Sequence, residues 1–168
     1  PIIFSEPSCL SSFRDDYQDI ISNSEKLERL EKNIFSVDEF LYANKEKLKA
    51  VSNDLDKSKV FIHGHCHQRS VDNFENTLEL LKYLGIEVED SKAGCCGMAG
   101  SFGYEKEHYE ISRLIGEDRL FQKIKDLDTD CKICVTGVSC LEQISHFTNK
   151  NPLHLLELLA DNIGIKNM

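Results

Sequence analysis

Seven cysteines stand in a chain of 168 residues that has only three prolines and no tryptophan. Their number is odd and Cys95 and Cys96 are adjacent, which suits thiolate chemistry in a reducing compartment better than a disulfide framework. Cys9, Cys66, the Cys95–Cys96 pair and Cys140 each come shortly after a short β-branched run of the kind that makes a strand. In an open parallel sheet the loops leaving the carboxyl ends of the strands share one edge, where ligands bind. Five thiols far apart in the sequence are therefore expected to converge. Soft sulfur donors gathered in this way select zinc, Cu(I) or iron–sulfur clusters.

The residues flanking these thiols refine the expectation. Ala93-Gly94-Cys95-Cys96-Gly97-Met98-Ala99-Gly100-Ser101-Phe102-Gly103 is rich in small residues just ahead of a helical pattern. Glycine at Gly97 lets backbone approach a bulky inorganic group and leaves N–H groups for its sulfides. A phosphate cradle is the competing reading, but neither a GxGxxG nor a P-loop lysine is present. His63-Gly64-His65-Cys66-His67-Gln68 is dense in potential donors. His65 and His67 there have three open roles: direct ligands, hydrogen-bond donors to a ligating thiolate or cluster, or plain structure. Cys131-Lys132-Ile133-Cys134 is a CxxC, but Cys134 lies between Ile133 and Val135 in an expected buried strand, where a free cysteine acts as a small hydrophobe.

The elements that must position these groups alternate. Strand-like runs at Ile2 to Phe4, Lys59 to His63, Ile86 to Val88 and Cys131 to Thr136 are separated by helical patterns over 10–21, 24–32, 37–48, 74–84, 105–125, 141–147 and 152–163. Ser36 and Asp38 are candidate helix starts, Gly85 a helix stop and Pro152 a first helical residue. The alternation predicts an α/β fold, an open parallel sheet of about four strands in two or three layers, with cysteines at the C-terminal strand ends. The stretch from Ser22 to Asp56 is charged and shows no strand pattern, so it reads as a solvated helical connection or an inserted lid.

Composition excludes several classes. Twenty Lys and Arg against 29 Asp and Glu leave a formal charge of −9 with no basic cluster, which argues against nucleic-acid or anionic-membrane partners. No apolar run is long enough for a transmembrane segment, and no signal peptide opens the chain. The protein reads as soluble and cytoplasmic, with any inner-membrane association peripheral and made through partners. Because the sequence opens on Pro1 inside a strand-like run, it reads as a piece of a longer polypeptide.

Cys66, Cys95-Cys96-Gly97 and Cys140 together resemble one copy of the cysteine-rich CCG domain found in heterodisulfide reductase and in the iron–sulfur components of glycolate and lactate oxidases. More closely, Glu6-Pro7-Ser8-Cys9-Leu10, His65-Cys66-His67-Gln68, the stretch from Gly94 to Tyr104 and Gly137-Val138-Ser139-Cys140 resemble the C-terminal region of large FAD-linked oxidases of the D-lactate or D-2-hydroxyglutarate dehydrogenase type. The resemblance implies that residues 1–168 are one CCG-type domain, with Cys9 as the last cysteine of a preceding copy. It also implies an iron–sulfur cluster, of [4Fe–4S] kind, on Cys9, Cys66, Cys95, Cys96 and Cys140. FAD and the oxidation of a D-2-hydroxy acid would belong to an FAD-linked oxidase domain of the same chain, and the electron acceptor stays unknown. Family members with a non-cubane cluster end this motif in CxxC, whereas Gly137-Val138-Ser139-Cys140 keeps only the second cysteine. The expectation is an electron-transfer domain, and the competing readings are a structural zinc site on the same thiolates or a thiol enzyme acting through Cys95 or Cys96.

Overall fold

A computed structural model describes residues 1–51 and 59–163. The amino-terminal part runs β1 (Ile2–Phe4), α1 (Pro7–Arg14), α2 (Asp16–Ile20), α3 (Ser24–Glu31), β2 (Ile34–Ser36), α4 (Val37–Ala43) and α5 (Lys45–Val51). There follow β3 (Val60–His63), α6 (Cys66–Val71), α7 (Phe74–Tyr83), β4 (Val88–Asp90), α8 (Tyr109–Gly116) and α9 (Gln122–Lys125). The chain then forms β5 (Lys132–Val135), α10 (Val138–Thr148), β6 (Leu153–His154) and α11 (Leu155–Asn162).

Two all-parallel sheets result. β1 pairs with β2, and the larger sheet has the order β4-β3-β5-β6. Strand alternation sends neighbouring side chains to opposite faces. On one face Val60, Ile62 and Cys134 pack with Phe74, Leu80 and Leu81 of α7 and Leu155 and Leu158 of α11. On the other, Phe61, Ile133 and Val135 pack with Leu120, Phe121, Ile124 and Ile144. The expected α/β fold is therefore three-layered. From β3 the chain passes first to β4 on one side and then to β5 on the other, so the crevice between the carboxyl ends of β3 and β5 is a topological switch point.

Several expectations are corrected. The first strand does not join the main sheet, because the stretch read as a solvated connection contains β2, whose Ile34 is buried and whose backbone pairs with β1. The part of that stretch from 52 to 56 lies outside the described residues. The fourth member of the main sheet is β6, just past Pro152, and the helix there starts later, at Leu155, under a capping box made by His154 and Glu157. The strand expected at Ile86 to Val88 runs from Val88 to Asp90. The long helix expected over 105–125 is interrupted by a π-helical turn at Glu117–Phe121. Other punctuation is as expected. Ser36 and Glu39 form a capping box on α4, and Gly85 ends α7 at φ 87° while Ile86 N–H returns to Leu81 O at 3.0 Å.

The amino-terminal unit is fastened by polar contacts. Arg14 of α1 pairs with Glu39 of α4 at 2.7 Å and with Asp72 after α6. Asp38, buried at the start of α4, accepts hydrogen bonds from Gln68 Nε2 at 3.0 Å and Thr77 Oγ1 at 2.8 Å. Such a buried carboxylate is tolerable because its lone pairs are used. Truncating the fully buried Phe121 to alanine is expected to lower unfolding stability by about 3–5 kcal/mol. Ile20→Ala, at a side chain 72% exposed, should change it by less than about 0.5 kcal/mol, and urea unfolding of both variants measures the contrast.

Candidate metal centre

Each element end contributes one part of the site. β3 ends at His63, and Gly64 turns the chain because the Phe74 ring fills its side-chain position: a Cβ there would lie 2.4 Å from the ring. The guanidinium of Arg69 stacks on that ring, 4.1 Å from its centroid, and pairs with Asp90 at the end of β4. Burial opposes the Asp90 charge most strongly, but the Arg69 hydrogen bonds and charge together with the Lys92 N–H outweigh it and hold the carboxyl below its ordinary range. This clamp ties the loop that carries Cys66 to the one that carries Cys95 and Cys96.

Cys66 opens α6, Cys95 and Cys96 occupy the loop after β4, and Cys140 lies in the first turn of α10 after β5. The four thiols form a hydrogen-bonded row in the order Cys66, Cys95, Cys96, Cys140. Cys96 and Cys140 are buried, at 3% and 1% exposure, and Cys66 and Cys95 are half-buried. The hydrogen bond from Cys66, then that from Cys96 and the Gly97 N–H, push the Cys95 thiol down to about 2. The bond from Cys96, with a further contribution from His63, pushes Cys140 down to about 5 despite its burial. Cys66 is pushed up by its hydrogen bond with Cys95 and by burial, and Cys96 by its hydrogen bonds with Cys140 and Cys95 and by burial.

A cavity of about 590 Å³ opens onto this row, lined by Cys66, Cys95, Cys96, His65, His67 and Ser139 among others. His65 Nδ1 accepts from His67 N–H at 3.2 Å, so its Nε2 carries the proton and donates to Ser139 Oγ at 3.2 Å. Ser11 Oγ donates to Ser8 O at 2.9 Å and therefore accepts from His67 Nδ1 at 2.8 Å. Cys9 is exposed on α1 and is not among the cavity-lining residues, although Glu6 and Ser8 beside it are. The Glu6 carboxylate reaches across to accept from Val138 N–H at 2.8 Å, joining the start of α1 to the start of α10.

The Cys-Cys-Gly loop is held from behind by α8. Gly97 has φ 100°, and a Cβ on it would sit 2.1 Å from Ser112 O. A Cβ on Gly116 would meet the Phe121 ring at 2.2 Å and Cys96 O at 2.8 Å, an approach made possible by the π-helical turn that folds Phe121 beneath it. Gln143 Nε2 of α10 donates to Ser112 Oγ at 2.8 Å and Ser112 O at 3.3 Å, closing the clasp. It is thus packing against α8 that requires glycine at 97, while Ala99 and Gly100 are the loop residues that reach the cavity. Gln143 and Ser112 were not among the expected site residues, since they sit in ordinary helical patterns with no spacing signal, and His63 and Glu6 were noted only as members of the motifs around Cys66 and Cys9. Cys134 lies on the opposite face of the sheet, fully buried, with its thiol pushed up by desolvation. Cys131 stands at the entry of β5, before the strand crosses the sheet, so the CxxC is split between two environments.

A parallel sheet whose strand ends gather cysteines around a Cys-Cys-Gly turn defines a class. The model of the CCG cysteine-rich domain matches residues 60–145, and the chain belongs to that family. It is 30% identical over 167 residues to one of the subunits of anaerobic glycerol-3-phosphate dehydrogenase of Escherichia coli K12, covering 98% of this chain and 41% of that protein. It is also 26% identical over 171 residues to D-2-hydroxyglutarate dehydrogenase of Haemophilus influenzae, covering 95% of this chain and 16% of that protein. The chain thus spans less than half the length of either relative. No helix among the described residues is long and apolar enough to cross a membrane.

Gly97→Val is expected to lower the melting temperature clearly, since it combines a left-handed φ with a backbone clash. Gly94→Ala, with no atom within 4 Å of the added methyl, should leave stability within about 0.5 kcal/mol. Thermal unfolding followed by circular dichroism distinguishes the two.

Proposed function

We propose that this chain is an electron-transfer module in which Cys66, Cys95, Cys96 and Cys140 hold an iron–sulfur cluster, with Cys9, exposed on α1 beside the cavity-lining Ser8, as a fifth donor. The observation that carries the reading is the row of four thiols at the switch point of the sheet. Among the described residues no three His, Cys, Asp or Glu side chains are grouped as they would be around a single metal ion. A cluster draws its ligands over several iron atoms, and the four thiols here arrive from three separate loops. It supplies one-electron transfer when bound. The chain's own residues supply the rest: the row provides thiolates, the α8 clasp fixes the Cys95–Cys96 turn, and His65 and His67 hold the cavity wall through Ser139 and Ser11.

The relatives support a shared redox role rather than a shared substrate. Their names give two different substrates, glycerol-3-phosphate and D-2-hydroxyglutarate, yet this segment is common to them. We infer that residues 1–168 form one CCG-type domain and that substrate oxidation, of a D-2-hydroxy acid or a similar secondary alcohol, takes place on an FAD-linked oxidase domain of the same polypeptide. Electrons would pass from that flavin to the cluster and on to a separate acceptor. A cytoplasmic location, with any membrane contact made through partners, belongs to the same proposal.

Anaerobic reconstitution with iron and sulfide tests the reading. The protein is expected to take up iron and acid-labile sulfide, Cys96→Ser to lose most of both, and Cys134→Ala to keep them while losing about 1 kcal/mol of stability. Zinc filling the site in place of iron, or equal metal loss in Cys134→Ala and Cys96→Ser, would overturn the assignment.

A further inference from the structure

Of the three histidines around Cys66, His63 is the one whose unpartnered ring nitrogen is buried. The residue is fully buried at the carboxyl end of β3, where it pairs in register with Val135 of β5. Its Nδ1 lies 3.0 Å from Ser91 Oγ. Ser91 Oγ accepts from Ala93 N–H at 3.3 Å, which uses one of its lone pairs, and its own proton still needs an acceptor. Among the described residues Nδ1 is that acceptor. The neutral ring must then carry its proton on Nε2. That atom is buried with no hydrogen-bond partner of normal geometry. A buried ring N–H left without an acceptor is unfavourable by about 1–3 kcal/mol, so such a group calls for an explanation.

The surroundings of the ring indicate what it is for. The ring is close enough to act on Cys140, by hydrogen bonding above all, and on Cys95 and Asp90, so it stands against the inner end of the thiol row. His65 cannot take this part, since both its nitrogens are bound to His67 N–H and Ser139 Oγ. His67 is turned outward to Ser11 and is exposed.

We propose that His63 is a potential-setting residue: Ser91 fixes its tautomer so that Nε2–H donates to sulfur at the Cys140 corner of the bound cluster. The proposal rests on the iron–sulfur reading given above. Reduction adds one electron to a cluster already held by anionic sulfurs, and an N–H donor at one of those sulfurs stabilises the reduced state more than the oxidised one. His63 is thus a positioning donor and not a ligand. The reduction potential should fall when the N–H is removed, while iron content stays.

The test uses the anaerobically reconstituted chain with His63→Leu, His63→Gln and Ser91→Ala, each analysed for iron and titrated by EPR-monitored redox potentiometry. At the wild-type midpoint the reduced-to-oxidised ratio of His63→Leu is expected to fall about tenfold, which is about 59 mV for a one-electron couple. His63→Gln, whose amide nitrogen can occupy the Nε2 position, should recover most of the shift. Ser91→Ala, a small change that spares the fold if His63→Leu does not, should shift the potential in the same direction by less. In the metal-free wild-type protein, ¹⁵N NMR should show His63 protonated on Nε2. A fully loaded His63→Leu with wild-type potential, or a fully loaded Ser91→Ala with wild-type potential where His63→Leu does not fold, overturns the proposal alone. So does Nδ1 protonation, or loss of iron from folded His63→Leu, which would make the histidine a ligand. Failure of the wild-type chain to bind iron overturns the iron–sulfur reading, and this proposal with it.

Discussion

Four sulfur groups pressed together at the carboxyl ends of three parallel strands form the constraint on which the rest of this structure depends. Unpaired ionised groups are strongly unfavourable at the burial of Cys96 and Cys140. Along the row the shifts alternate: mutual hydrogen bonding pushes the Cys66 and Cys96 thiols up and the Cys95 and Cys140 thiols down. The strand order β4-β3-β5-β6 makes this possible, because Cys66, the Cys95–Cys96 pair and Cys140 leave three adjacent strands at one edge. Strands in a different order would scatter the same cysteines.

Holding such a row needs backbone close behind it, and glycine supplies that at Gly97 and Gly116. Both positions let α8 lie against the Cys95–Cys96 loop, at distances no side chain would allow. The π-helical turn after α8 belongs to the same device, since it brings Phe121 under Gly116 while keeping that aromatic ring in the core. Packing, polar clasp and loop conformation are therefore one unit: Gln143 holds Ser112, Ser112 crowds Gly97, and Gly97 sets the direction of Cys95 and Cys96.

Much of this was legible in the sequence, and the failures have physical reasons. The gathering of Cys66, Cys95, Cys96 and Cys140 followed from their places after strand-like runs, whereas Cys9, expected with them for the same reason, is exposed on α1 and does not line the cavity. The assignment of Cys134 to the core followed from its apolar neighbours. β2 and β6 escaped notice because three and two residues are too few to show an alternating pattern. Both are stabilised by pairing with distant strands, which local sequence does not encode. α6 was hidden for a different reason: its histidines and Cys66 read as a ligand-rich loop, whereas His65 caps a helix there by accepting from His67 N–H. Ser91 and Gln143 carried no signal at all, because their roles arise only when separate elements meet.

The account joins a family fold to a redox role through the thiol row, and residue-by-residue thiol protection tests that link most directly. The protein would be alkylated anaerobically before and after reconstitution with iron and sulfide, and each cysteine read by peptide mass spectrometry. Protection is expected to appear on reconstitution at the half-buried Cys66 and Cys95, and to be released by an iron chelator, while Cys131 is unchanged. Unaltered alkylation of Cys66 and Cys95, or new protection at Cys131, would contradict the account.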